Sequence, residues 1–149
     1  MMREGAKAID FKLKGVDGKT HSLKDFDTEY VVLYFYPKDL TPGCTIQAIT
    51  YSKKIDKFKA LDATVVGVSR DDTNLHRKFK SACNIKFMLL SDPTNKIHKA
   101  YGAYGDKGIF GKGTLRNTYI IKNGKVVRIF KRVKPIEDPD NVINYIKNS

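Results

Sequence analysis

Six apolar residues, Val31-Val32-Leu33-Tyr34-Phe35-Tyr36, run directly into Pro37-Lys38-Asp39-Leu40-Thr41-Pro42-Gly43-Cys44, and helical periodicity follows. A strand with no alternation of apolar and polar residues has to be covered on both faces. The chain is therefore committed to a sheet lying between two layers. The junction also sets where a helix begins, because Thr41 is a good N-cap and Pro42 suits the first helical position. Cys44 then falls in the first turn, where unpaired N–H groups and the positive end of the helix dipole favour a thiolate. A cysteine so placed tends to be a nucleophile. A buried structural cysteine would fit the position equally well, so its neighbours must decide.

Beyond the junction, Cys44, Ala48, Tyr51, Ile55 and Phe58 recur at intervals of 4, 3, 4 and 3 and form one apolar stripe. Cys44 is thereby expected on the core side of a single long helix, at its very start. Ala63-Thr64-Val65-Val66-Gly67-Val68-Ser69 reads as a second covered strand, and a helix carrying Leu75, Phe79 and Ala82 follows, with Cys83 near its end. Phe87-Met88-Leu89-Leu90 is a third strand. Asp92-Pro93 has the chemistry of a helix start, and Gly102 that of a helix stop. Residues 102–115 contain five glycines and read as a flexible loop. Thr118-Tyr119-Ile120-Ile121 and Val126-Val127-Arg128-Ile129-Phe130 pair across Asn123-Gly124, a hairpin signal. Asp138-Pro139 opens a last helix with Val142, Ile143 and Ile146 on one side. Near the N-terminus, Phe11-Lys12-Leu13 and Thr20-His21-Ser22 flank a turn. Covered strands alternating with helices make an α/β sandwich. A thiol at a strand-to-helix junction, with a closing hairpin and helix, describes the thioredoxin fold, here as one domain over residues 1–149.

Composition narrows the function. With 28 Lys and Arg against 16 Asp and Glu, the net charge is +12, which would attract polyanions without sequence preference. Yet 22 of the 28 cations are Lys, spread along the whole chain rather than gathered in one arm. No zinc finger or aromatic RNA-binding signature accompanies them, so the charge reads as a solvated surface and not as a specific nucleic-acid site. No apolar run is long enough to span a membrane, and the first residues lack the apolar core of a secretory signal. The expected compartment is the cytoplasm. Two cysteines are too few for a disulfide scaffold. His21, His76 and His98 sit one per element without metal-ligand spacing, so neither metal nor cofactor is implied. Gly111-Lys112-Gly113 lacks the hydroxyl residue that a phosphate loop requires.

The chain resembles the peroxiredoxins, specifically the peroxiredoxin Q or bacterioferritin comigratory protein group. Their core motif is matched by Pro37, Thr41 and Cys44. The likeness continues through Val68-Ser69-Arg70-Asp71, Phe87-Met88-Leu89-Leu90-Ser91-Asp92-Pro93, Tyr101-Gly102 and Arg116-Asn117-Thr118-Tyr119-Ile120-Ile121, and covers residues 5–147. The resemblance implies a peroxide substrate, a thioredoxin-like reductant and a monomer. It implies an active site of Cys44, Thr41 and Arg116, with Pro37 shielding the pocket. Three positions depart from the family's habit: Ile9 stands where Pro is frequent, Gln47 where Glu is frequent, and Ile49 where many members carry a second cysteine. Cys83 fits the variant in which the resolving cysteine lies on the following helix.

Those residues suit peroxide reduction. A thiol lowered from ~8.5 to ~6 gains only about 30-fold in thiolate at pH 7, and loses some nucleophilicity as its basicity falls. The rest of the rate must come from aligning the peroxide and stabilising the leaving oxygen. The Thr41 hydroxyl can bridge peroxide and thiolate, Gly43 leaves room for substrate, and Tyr36 with Pro37 would keep water away. Arg116 adds an always-charged planar donor. The product, a Cys44 sulfenic acid, must be recycled before over-oxidation. An intramolecular Cys44–Cys83 disulfide would do this, if the turn after Thr41 and part of the Cys83 helix unwind. The alternatives are a one-cysteine peroxidase with Cys83 structural, a disulfide oxidoreductase (disfavoured by Gln at position 47), and a basic polyanion-binding protein on the same scaffold.

Overall fold

The computed structural model describes residues 2–149. Its strands are β1 (Leu13–Gly15), β2 (Thr20–His21), β3 (Tyr30–Phe35), β4 (Ala63–Ser69), β5 (Met88–Ser91), β6 (Tyr104–Asp106), β7 (Lys112–Thr114), β8 (Thr118–Lys122) and β9 (Lys125–Phe130). All but β6 and β7 form one seven-stranded sheet of order β2-β1-β5-β4-β3-β8-β9. Every residue of β3 is buried. It runs parallel to β4 and antiparallel to β8, so the apolar hexapeptide lies in the interior of the sheet and not at an edge. Its side chains alternate between two cores. Val32, Tyr34 and Tyr36 join one with Tyr51, Phe58, Phe79 and Val142. Val31, Leu33 and Phe35 join the other with Phe11, Ile97, Tyr101 and Tyr119. Both layers inferred from the run are therefore present. The first is built by α1 (Pro42–Lys53), α2 (Ile55–Ala60), α3 (Thr73–Cys83) and α5 (Asp138–Lys147), and the second by α4 (Lys96–Tyr101) with the N-terminal segment.

Local chemistry explains most boundaries. Asn123 and Gly124 both take positive φ at the β8–β9 turn, as a two-residue hairpin loop requires. Gly102 ends α4 in the left-handed region. Four expectations need correction. The long helix after Cys44 is two helices, because at Lys54 the backbone leaves helical geometry and its N–H turns to Tyr51 O and Ser52 O. Asp92 does not start α4: its carboxylate takes the His98 N–H and ring Nδ1 at 2.8 and 2.7 Å, and the helix begins at Lys96 behind a left-handed Asn95. Ala82 is exposed, while His76 on the same helix is wholly buried. The glycine-rich stretch is not an unstructured loop, because β6 (Tyr104–Asp106) pairs antiparallel with β7 (Lys112–Thr114).

Candidate active site

The site forms where β3 ends and α1 begins. Thr41 holds the N-cap position with extended φ and ψ, and Pro42 follows it into the helix. The cap differs from the expected one. The Thr41 hydroxyl donates to Lys38 O at 2.7 Å and makes no hydrogen bond to the first-turn amides. The N–H groups of Gly43 and Cys44 thus have no intrahelical acceptor, and nothing from the cap consumes them. The Thr41 proton is also engaged, so its oxygen is available to a peroxide as an acceptor, and a bridge that donates to the thiolate would require leaving Lys38.

Cys44 is 1% exposed and Gln47, one turn along the same face, is wholly buried. Arg116 reaches them from the segment before β8. That segment is pinned on both sides: Phe35 N–H donates to Asn117 O at 2.9 Å, and Val133 N–H donates to Arg116 O at 2.8 Å. The buried Asn117 side chain donates from Nδ2 to the Tyr119 hydroxyl and accepts the Arg132 N–H on Oδ1. From this anchored position Arg116 Nη1 lies 3.5 Å from Cys44 Sγ and donates to Gln47 Oε1 at 2.9 Å. The guanidinium also occupies the space over Gly43: a Cβ there would lie 3.1 Å from Nη2 and 3.6 Å from Pro135 Cγ. The glycine therefore makes room for the arginine itself.

The other anticipated residues divide. Pro37 lines a cleft of about 300 Å³ together with Phe110, Leu115, Arg116, Arg132 and Val133. Tyr36 does not. It is wholly buried, its ring packs against Tyr34 and Phe79, and its hydroxyl donates to Asp39 at 2.6 Å. Burial, then the nearby Asp39 carboxylate, pushes its phenol well above the ordinary value. It belongs to the core and is not a wall of the cleft. Cys83 ends α3, partly exposed and unpaired, as Cys44 is unpaired. Partial burial holds the Cys83 thiol up.

Two buried acids were not read as part of this region. Asp39 bonds His76 Nδ1 at 2.5 Å, and His76 Nε2 reaches Leu90 O at 2.9 Å. Asp138, 1% exposed, receives Gln47 Nε2, the Tyr51 hydroxyl and the Thr118 hydroxyl on a single oxygen at 3.0, 2.6 and 2.7 Å. Burial raises its carboxyl above the usual range, against the pull of those three donors and Arg116. A signal for Gln47 was present in its position, three residues after Cys44 on the stripe that faces inward. Asp138 gave none, because an acid at the start of a helix ordinarily looks outward to complement the dipole.

Residues 5–129 match the model of the AhpC/TSA family. The peroxiredoxin Bcp of Bacillus subtilis is 42% identical over 134 residues, covering 87% of this chain and 85% of the relative. The chloroplastic peroxiredoxin Q of Arabidopsis thaliana is 41% identical over 148 residues, 98% of this chain and 68% of the relative. Among solved structures, a peroxiredoxin Q of Xylella fastidiosa superposes with a TM-score of 0.94 at 28% identity, covering 99% of this chain and 97% of its own. The bacterioferritin comigratory protein of Xanthomonas campestris, described for its alkyl peroxide reduction activity, gives 0.88 at 29% identity, with 93% and 90% covered.

Proposed function

The chain belongs to the AhpC/TSA family and is a thiol-dependent peroxidase of the peroxiredoxin Q and Bcp kind; from that premise we propose how its residues share the reaction. Cys44 is the peroxidatic cysteine. Its thiolate attacks one peroxide oxygen, an S–O bond forms as the O–O bond breaks, and the other oxygen leaves and gains a proton as water or alcohol. Arg116 and the free amides of Gly43 and Cys44 stabilise charge on sulfur and on the departing oxygen. Thr41 accepts the peroxide O–H and so orients it. The observation that carries this reading is the Arg116 guanidinium 3.5 Å from Cys44 Sγ, above the uncapped first turn of α1.

Cys83 is the resolving cysteine. It attacks the sulfenic sulfur, water leaves, and the Cys44–Cys83 disulfide is reduced by a thioredoxin-type dithiol. Support comes from its free thiol at the end of the helix packed beside α1, in the same core layer as Cys44. The cleft beside Arg116, with Phe110, Leu115 and Val133 on its walls, supports organic hydroperoxides as substrates alongside hydrogen peroxide. Two free thiols suit a reducing compartment such as the cytoplasm. Among the described residues no helix is long and apolar enough to cross a membrane.

Peroxide consumption by wild type, Cys44→Ser and Cys83→Ser, each with thioredoxin or with a small dithiol, tests the assignment. Cys44→Ser should consume none. Cys83→Ser should still turn over with the small dithiol and stop after one equivalent with thioredoxin. Unchanged thioredoxin-coupled turnover in Cys83→Ser would remove the resolving role, and residual turnover in Cys44→Ser would remove the peroxidatic one.

A further inference from the structure

Asp138 stands one side chain away from the reacting centre, and the chain of contacts between them has a fixed polarity. Asp138 accepts the Gln47 amide N–H₂ at 3.0 Å, Gln47 Oε1 accepts Arg116 Nη1 at 2.9 Å, and the same Nη1 points at Cys44 Sγ at 3.5 Å. An amide can present either end to a neighbour, since carbonyl and N–H₂ have nearly the same shape. Were Gln47 turned over, its N–H₂ would face the guanidinium, donor against donor, and Arg116 would lose its rest. A carboxylate only accepts. Placed at the far end of the amide, it forces the N–H₂ towards itself and the carbonyl towards Arg116. The Tyr51 and Thr118 hydroxyls, both buried, hold that same carboxylate oxygen from two other elements, while the second oxygen finds no partner among the described residues. A buried carboxyl with an orphaned oxygen is an expensive way to start a helix, and exposed acids serve that purpose without the cost.

We propose that Asp138 is a positioning residue for peroxide reduction, locking the Gln47 amide in the one orientation that holds Arg116 on the Cys44 sulfur. The proposal rests on the assignment of Cys44 and Arg116 above. Cys44→Ser tests that assignment alone, so its failure is separate from failure here. Asp138→Asn keeps the shape but offers Gln47 a group that can donate as well as accept, and the lock is released. The second-order rate of Cys44 oxidation by hydrogen peroxide, followed by stopped flow, should fall about tenfold. That is less than the loss of an oxyanion donor, because Arg116 is loosened and not removed.

The swap Gln47→Glu/Asp138→Asn puts an acceptor-only group directly on Arg116 and makes the lock unnecessary. It should return the rate to within about threefold of wild type. A merely structural acid predicts no such rescue, because the double variant carries the same substitution at 138 as the slow one. An Asp138→Asn rate within twofold of wild type, or a double variant as slow as the single, overturns the proposal. Should Asp138→Asn alone fold poorly, the double variant measured against Gln47→Glu still decides.

Discussion

Gly43 gives up a side chain at the point where Arg116 needs space, and the trade can be measured. An ideal Cβ would sit 3.1 Å from Nη2, tighter than ordinary contact by a few tenths of an ångström. Residue 43 lies in the first turn of α1, and alanine is a better helix former than glycine by up to about 1 kcal/mol. The two effects pull Gly43→Ala in opposite directions. We expect a protein at least as stable to urea as wild type whose Cys44 is oxidised by hydrogen peroxide about tenfold more slowly, since displacing a positioned donor is felt in the transition state. An unchanged oxidation rate would mean that the guanidinium yields freely and that its contact with Sγ is not what sets the rate. Cys44, Thr41 and Gly43 were legible in the sequence because cap, proline, glycine and cysteine carry positional meaning. Gln47 was legible only in its place on the inward stripe, and Asp138 not at all, because a polar residue in a helix is read as a solvated one until a partner elsewhere in the chain shows that it is buried.

Between elements, the Pro37–Thr41 segment is tied to α3 by a buried pair. Asp39 accepts the Tyr36 hydroxyl on one oxygen and meets His76 Nδ1 on the other, while its own N–H donates to Asp71. His76 Nε2 must donate to Leu90 O, a carbonyl. A single proton therefore sits between Nδ1 and the carboxyl, whichever side it occupies, and the pair is neutral as a unit. Both side chains are fully buried. His76→Leu would strand the Asp39 carboxyl in the core, in the segment that leads to Cys44, and should cost roughly 3–5 kcal/mol, the usual penalty for removing one partner of a buried pair. Urea unfolding measures this, and a loss below about 1 kcal/mol would show that water or a neighbour replaces the ring. The helices that follow this segment show the limit of periodicity. The α1 stripe runs unbroken through Ile55 to Phe58, yet the backbone breaks at Lys54 with no Gly or Pro to mark it. The strands were more readable, because β3 is apolar throughout, β4 is largely so, and the Asn123-Gly124 turn leaves one way for β8 and β9 to pair.

Over the whole molecule, a surplus of twelve positive charges makes the folded state sensitive to acid. Its carboxylates are few, and several are held in their charged form. The Ile129 N–H, with Arg128, keeps Glu4 below the usual range, and the Leu23 and Phe11 N–H groups do the same for Asp10. These two are exposed, and such contacts count for little in water. Asp92 is different. Burial pushes its carboxyl up, but the His98 ring and backbone N–H outweigh burial, and the net shift is downward at a side chain only 2% exposed. A carboxyl with a folded value below its unfolded value of about 3.9 contributes stability that is fully present above that pH and is lost as pH falls through the folded value. Asp138 has the opposite sign, since its raised carboxyl gains a proton more readily in the folded state and so opposes acid unfolding. Asp92 should therefore set much of the slope below pH 4, in a chain already short of anions. We expect the wild-type urea midpoint to drop steeply as pH falls below about 4, and the Asp92→Asn midpoint, lower at neutral pH, to drop less. Parallel curves for the two proteins would mean that His98 does not hold the Asp92 carboxylate, and that self-repulsion of the cationic surface alone drives acid unfolding. Raising the salt concentration separates these causes, because it screens the surface and leaves the buried Asp92–His98 pair nearly untouched.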